Sequence, residues 1–236
     1  MVGKEFTQKE VIELFEKSWS ALVKKYHETR VYPAWCSEAD IQLYISHKLL
    51  GKLPSERIHL ELPIPLEVER FSEELYTLGR VSARKCIKPD IVVIDPETLL
   101  PNLIAEIKFT PLYWGFLPLV LAVTKKMTME KKERIKKVLK HDISYFKRVQ
   151  ERGPSTAEME KVYTKNLEKL ITIINHFEKK MKTVVAGYLC VVDECYPDLE
   201  ERLKKEFIKY NPPSQFRILV EHYPALDVLE RTLATL

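Results

Sequence analysis

Apolar residues recur at helical spacing near the start of the chain, where Val11, Leu14, Phe15, Trp19, Leu22 and Tyr26 follow the capping box Thr7-Gln8-Lys9-Glu10. That pattern predicts an amphipathic helix over about residues 8–27. A turn around Tyr32-Pro33 leads to Ser37, which caps a second predicted helix, SEADIQLYISHKLL, ending near Gly51. The pattern then changes to strands over Arg57 to Leu66, Glu74 to Ala83, Asp90 to Asp95 and Leu103 to Phe109, the last two flanking a turn from Pro96 to Asn102. Helical spacing returns at Glu130 to Glu151 with Ile135, Leu139, Ile143 and Phe146 on one stripe. Gly153-Pro154-Ser155 interrupts it before a further helix from Ala157 to Lys182 carrying Leu167, Leu170, Ile174 and Phe177. TVVAGYLCVV, from Thr183 to Val192, is apolar on both alternating sets, the texture of a central strand covered on two faces. A helix over Asp198 to Tyr210 and a strand over Phe216 to His222 complete the predicted elements.

With no internal repeat and no low-complexity linker, these elements read as one domain of 236 residues, long enough to bury a sizeable core. The order implies an α/β or α+β fold, a mixed central β-sheet flanked by helices. Residues 1–36 read as an N-terminal helical extension, 37–222 as the core, and 111–182 as a largely helical elaboration. The first residues are charged, so no signal peptide is expected, and the longest apolar run, Pro111 to Thr124, is shorter than a bilayer crossing needs. The expectation is a cytoplasmic protein without a membrane anchor.

The hairpin around residues 88–110 interrupts its apolar texture with Asp90, Glu106 and Lys108. Pairing the strands across a turn centred on Leu99 sets Asp95 opposite Leu103, Val92 opposite Glu106 and Asp90 opposite Lys108. Alternation then puts Asp90, Glu106 and Lys108 on one face at the open end of the hairpin, and a two-residue slip keeps that face. Two converging carboxylates repel, and one lysine offsets only part of that. A divalent cation offsets more, and carboxylate oxygens suit Mg²⁺ or Mn²⁺. The competing reading is an exposed strand with E-x-K alternation and an Asp–Lys cross-strand pair.

Pro89-Asp90 followed by Glu106-Ile107-Lys108, with the element order from Ser37 to His222, resembles the PD-(D/E)XK nuclease superfamily, which includes archaeal Holliday-junction resolvases, many restriction endonucleases and repair enzymes. The resemblance implies a restriction-endonuclease-like core with an enlarged helical region after the E-x-K strand. It implies that Asp90 and Glu106 hold the metal, that Ile107 lends its backbone carbonyl, and that Lys108 orients water or steadies developing charge. Glu38 matches the acid that many members add from a preceding helix; it equally suits a first-turn acid favoured by the helix dipole, with Asp40 as the capping partner of Ser37. Where some members carry a Gln or Lys on the helix after E-x-K, Asp142, Lys147 and Gln150 fit loosely. The expected activity is divalent-metal-dependent phosphodiester hydrolysis, with DNA as substrate and an endonucleolytic cut. The alternative is a non-catalytic module on the same fold that binds nucleic acid or a protein. A third reading is an assembly protein joined through its apolar segment and helices.

The net charge is +4, but Lys125 to Arg152 alone holds eleven Lys or Arg against four acids, a surplus of seven. A basic helix beside the site would track phosphates, and Lys132, Lys136, Lys140, Lys147 and Arg148 are its candidate contacts; a solvated helix face is the plain alternative. Pro111 to Val123, with Tyr113, Trp114 and Phe116, suits a core cover or a homodimer interface better than a wedge against bases. Cys36, Cys86, Cys190 and Cys195 contain no C-x-x-C pair and read as buried thiols rather than a zinc site. No P-loop, G-x-G-x-x-G, H-E-x-x-H or G-x-S-x-G appears. The Lys- and Glu-rich charged fraction fits a thermophile.

Overall fold

A computed structural model describes residues 5–28, 37–65, 86–110 and 128–235. Helix α1 spans Gln8–Glu28 and α2 spans Glu38–Leu50. The strands are β1 (Ile58–Leu60), β2 (Ile64–Pro65), β3 (Cys86–Ile87), β4 (Ile91–Ile94), β5 (Pro101–Thr110), β6 (Ala186–Asp193) and β7 (Phe216–His222). Helix α3 (Met129–Arg152) is followed by a single helical turn at Thr156–Glu158, a π-helical stretch at Met159–Thr164, α4 (Lys165–His176) and a second π-helical stretch at Phe177–Met181. Helices α5 (Leu199–Ile208) and α6 (Ala225–Thr235) complete the chain. Among the described residues, five strands form a sheet in the order β1-β4-β5-β6-β7, with β2 and β3 paired separately. The β1–β4 and β4–β5 pairs are antiparallel, whereas β5–β6 and β6–β7 are parallel. This is the mixed α/β sheet flanked by helices that the pattern predicts.

The capping box opens α1 as expected: Thr7 N–H donates to Glu10 Oε2 at 2.9 Å, and Glu10 N–H donates to Thr7 Oγ1 at 3.3 Å. Behind it Val11, Phe15, Trp19 and Leu22 are buried in the same cluster as β4, β5 and β6. The Phe15 ring lies 4.8 Å from that of Tyr188 on β6. At α2, Ser37 Oγ accepts from Asp40 N–H, so Asp40 is the capping partner and Glu38 is left for another role. Every residue of β6 is buried, as a strand covered on both faces requires. Gly187 is needed there because a Cβ would meet Ile174 Cδ1 of α4 at 2.1 Å and Phe216 Cδ2 at 2.8 Å.

The structure departs from the pattern in four places. Arg57 to Leu66 is not one strand: Ser55–Arg57 is a 3₁₀ turn, and the chain kinks at Glu61 (φ 51°) between β1 and β2. Arg57 is buried and its Nε donates to the Ile94 carbonyl at 3.1 Å, so a charge holds the turn where a strand residue was expected. The β4–β5 register is displaced by two residues, pairing Val92 with Ile104 and Val93 with Leu103. Leu99 takes a left-handed conformation (φ 58°) in the turn and the ladder shifts between Val93 and Ile94; neither feature belongs to a symmetric turn. Residues 183–185 precede β6 rather than belonging to it. Helix α6 had not been predicted; Ala225, Leu226, Val228 and Leu229 bury its inner side. The predicted strand Glu74 to Ala83, the turn at Tyr32-Pro33, Cys36 and the apolar segment 111–123 lie outside the described residues. No helix among the described residues is long and apolar enough to cross a membrane.

Candidate functional site

Strand β4 begins at Ile91, opposite Ala105, so β5 runs on from Glu106 to Thr110 with no neighbouring strand on that edge among the described residues. The backbone groups of Ile107 and Phe109 that point toward the missing partner still need hydrogen bonds. Carboxylates supply them. Asp90, one residue before β4 and opposite Glu106 by extension of the register, accepts from Ile107 N–H through Oδ2 at 2.5 Å. Glu38, at the first turn of α2, accepts from Phe109 N–H through Oε1 at 3.3 Å. The Asp90 backbone carbonyl is held in turn by Gln42 Nε2 and by Glu61 N–H. The kink that broke the predicted strand at Glu61 thus helps to seat Asp90.

Lys108 draws these acids together. Its Nζ lies 2.8 Å from the Ile107 carbonyl, 3.2 Å from Glu38 Oε2 and 3.2 Å from Glu106 Oε1. Glu106 is only 3% exposed, and its second oxygen, Oε2, accepts from Lys169 Nζ of α4 at 2.8 Å. Lys169 also donates to the Lys88 carbonyl at 2.9 Å, just ahead of Pro89-Asp90. Asp90, Glu106, Ile107, Lys108 and Glu38 therefore meet, and the register correction brings the two acids directly opposite each other. The two-residue displacement preserved the face, as alternation requires.

Three carboxylates face two ammonium groups here, so Lys169 offsets the added Glu38 and the net deficit of one charge is the same as the hairpin alone implied. Burial, followed by the neighbouring Glu106 charge, pushes Asp90 up to about 6, although the Ile107 amide and Lys108 pull the other way. For Lys108, burial acts to lower the ammonium, but Glu106, Glu38 and Asp90 outweigh it and hold the group above its usual range.

Hard oxygen donors converge on one cationic position, and the Lys108 ammonium touches the Ile107 carbonyl, Glu106 and Glu38. That donor chemistry suits Mg²⁺ or Mn²⁺, which take one or two carboxylates and keep several waters. Among the described residues, no group of three or more His, Cys, Asp and Glu side chains is disposed to hold a metal ion. A divalent cation would therefore rest on Asp90 and Glu106 with the Ile107 carbonyl, while Glu38 stays with Lys108 and the Phe109 amide.

Lys169 was not anticipated. The helix directly after E-x-K suggested Asp142, Lys147 or Gln150, but these lie on α3, and the lysine that reaches Glu106 comes from α4. Lys132, Lys136, Lys140, Lys147 and Arg148 lie along α3, which packs against α6 and buries Leu139 and Ile143. Lys136 pairs with Glu133 at 3.0 Å and Lys147 with Glu230 at 2.6 Å, whereas Lys140 and Arg148 are exposed. Among the described residues, the site takes its side chains from α2, β5, α4 and the approach to β4, and none from α3. The thiols of Cys190 and Cys195 are free and buried.

Comparison with known proteins yields no match: no family model, no curated protein and no solved structure is similar to this chain.

Proposed function

We propose that the protein is a divalent-metal-dependent nuclease that cuts phosphodiester bonds beside the Glu106–Thr110 part of β5, with DNA as its substrate and an endonucleolytic mode. The observation that carries this reading is the meeting of Asp90, Glu106 and Glu38 around Lys108, with Glu106 almost wholly removed from solvent. Such convergence of like charges is costly, and a site for a cation and a phosphate gives it a use.

In this mechanism Asp90 and Glu106, with the Ile107 carbonyl, hold Mg²⁺ or Mn²⁺, which supplies Lewis acidity and charge neutralisation at the scissile phosphate. Lys108 stays protonated at neutral pH because three carboxylates surround it, so it acts as a donor and not as a base. Its N–H groups orient the attacking water and steady charge that develops on the phosphate oxygens. Without a metal Asp90 is pushed up to about 6, so protons compete with the cation for it and metal binding weakens as pH falls. Lys169 holds Glu106 from the far side and fixes its rotamer. The exposed cations of α3 add non-specific phosphate affinity. A cytoplasmic location goes with a nucleic-acid substrate.

A second reading, a binding module without turnover, draws on the engagement of both Glu106 oxygens by lysines. One experiment separates the two. Branched, linear and single-stranded DNA and RNA are incubated with Mg²⁺ or Mn²⁺, with and without chelator, using the parent chain, Asp90→Ala and Lys108→Ala. Chelator-sensitive cleavage lost in both variants supports the nuclease. Salt-dependent binding with no cleavage under either metal supports the module, and equal cleavage by all three proteins refutes the site.

A further inference from the structure

Strand β7 ends the sheet, and its outer edge is seven residues long. Gln215 accepts from Gly187 N–H and Tyr223 N–H donates to the Asp193 carbonyl, so the odd-numbered backbone groups of β7 face β6. The N–H and C=O groups of Ile218, Val220 and His222 therefore point away from the sheet, where they have no partner strand among the described residues. An open edge of this length is a template for another strand, and proteins ordinarily shorten, charge or cover such edges.

The sequence of this edge, FRILVEH, is complementary to itself. An antiparallel copy centred on Leu219 sets Phe216 opposite His222, Arg217 opposite Glu221 and Ile218 opposite Val220. Shifting the centre by one residue in either direction loses the Arg217–Glu221 match. The centred register also uses all seven residues, and it brings Ile218 and Val220, whose outward backbone groups have no partner strand among the described residues, into the narrow hydrogen-bonded pairs. Both charges lie on the face toward α1, where Arg217 bonds Glu16 at 3.0 Å and Glu221 meets His27. Arg217 remains largely exposed, so it has donors to spare for a second acid. Beside the same edge, α5 packs on β7 with the Phe207 ring 5.1 Å from that of Phe216. The next residue of that helix, Ile208, is 74% exposed, the most open large apolar side chain among the described residues.

We propose that two copies of this chain associate through antiparallel β7–β7 pairing centred on Leu219, forming one continuous ten-stranded sheet. The interface is isologous, as a two-fold dimer requires, because each copy offers the same strand. A two-fold axis through an antiparallel strand pair runs perpendicular to the sheet, so the two Asp90–Glu106–Lys108 clusters share one face of it while the β4-side edges of β5 point away from each other. Five strand spacings of about 4.8 Å separate the two β5 strands, roughly 24 Å of sheet. The association does not depend on the nuclease reading.

The test is sedimentation velocity of the full chain over a dilution series, with Val220→Pro, Arg217→Glu, Glu221→Arg and the double exchange. The parent is expected to be a dimer. Proline at 220 removes an outward N–H and leaves the β6 ladder intact, so it weakens dimerisation by roughly a hundredfold or more. Far-ultraviolet circular dichroism and the melting temperature show that this variant still folds; if it does not, Ile218→Pro on the same edge replaces it. Each single charge change sets like charges opposite each other twice and weakens the dimer by roughly tenfold. The double exchange restores it, although the Glu16 and His27 contacts within the chain stay broken, which a purely intrachain role would not allow. A parent monomeric at every concentration overturns the proposal. So does a dimer that Val220→Pro leaves untouched, or a strand edge that takes a foreign peptide while the chain alone stays monomeric.

Discussion

Replacing Asp90 by Asn should make the protein more stable at alkaline pH and leave it unchanged at acidic pH. The folded carboxyl, pushed up to about 6, holds its proton more tightly than the same group in the unfolded chain, near the ordinary 3.8. Below about pH 4 both states are protonated and Asp90 costs nothing. Between about pH 4 and pH 6 the unfolded chain ionises while the folded state keeps its proton, so stability falls, and above about 6 the folded state carries the full cost of a half-buried charge beside Glu106. At about 1.4 kcal/mol per tenfold difference in proton affinity, the gap corresponds to roughly 3 kcal/mol at most. Partial solvent access screens that figure to roughly 1–2 kcal/mol. Asparagine keeps an oxygen for the Ile107 amide and carries no charge, so urea denaturation at pH 8 should show Asp90→Asn more stable by that amount. At pH 3, below both values, the two curves should coincide. Saturating Mg²⁺ or Mn²⁺ should reverse the order at pH 8, because a ligand that binds only the folded parent stabilises it by about 2.7 kcal/mol at a hundredfold excess over its Kd. Equal destabilisation of the variant at both pH values would refute the reasoning, since Asp90 would then be an ordinary structural acceptor.

Three further outcomes follow from the same geometry. Lys169→Met strips one of the two lysines from buried Glu106; it should cost roughly 1–3 kcal/mol in urea denaturation and slow cleavage, with little change in nucleic-acid affinity. Gly187→Ala must displace Ile174 or the Phe216 ring, and overpacking of that kind should cost roughly 1–3 kcal/mol in thermal or urea unfolding; a neutral result would mean α4 does not press on β6. Replacing Lys132, Lys140 and Arg148 of α3 together by Ala should flatten the dependence of log affinity on log salt by roughly 2–3, measured by fluorescence anisotropy on duplex DNA. An unchanged slope would mark α3 as a solvated face only.

What the residue pattern made legible was local. The Thr7–Glu10 and Ser37–Asp40 caps, the stripes of α1 and α3, and the two-faced burial of β6 each depend on neighbours within a few positions, and all are found. The face shared by Asp90, Glu106 and Lys108 was legible for the same reason, since alternation survives a two-residue slip. Their register was not, because Leu99 and the shift at Val93/Ile94 alter the count in a way that composition does not reveal. Lys169 was hidden by distance, since it lies 63 positions from Glu106. A signal existed: a lysine at the rim of the buried stripe of Leu167, Leu170 and Ile173, on a helix packed against β5 and β6. Only the parallel β5–β6 pairing turns that rim toward Glu106.

Capping the open edge of β5 accounts for two of the three acids. Asp90 and Glu38 each satisfy a backbone N–H that the early start of β4 leaves unpaired, and a neutral asparagine or glutamine would do so at lower electrostatic cost. Glu106 caps nothing. Among the described residues its oxygens meet only Lys108 and Lys169, and an apolar residue in its place, with those lysines also replaced, would give up no backbone hydrogen bond there. Buried ion pairs of this kind are commonly no more stabilising than well-packed apolar substitutes, so stability alone gives weak grounds for an acid at 106. A buried acid that folding does not need, set opposite an acid whose ionisation burial opposes and beside a lysine held above its usual range, is what the proposed cation and phosphate site would use.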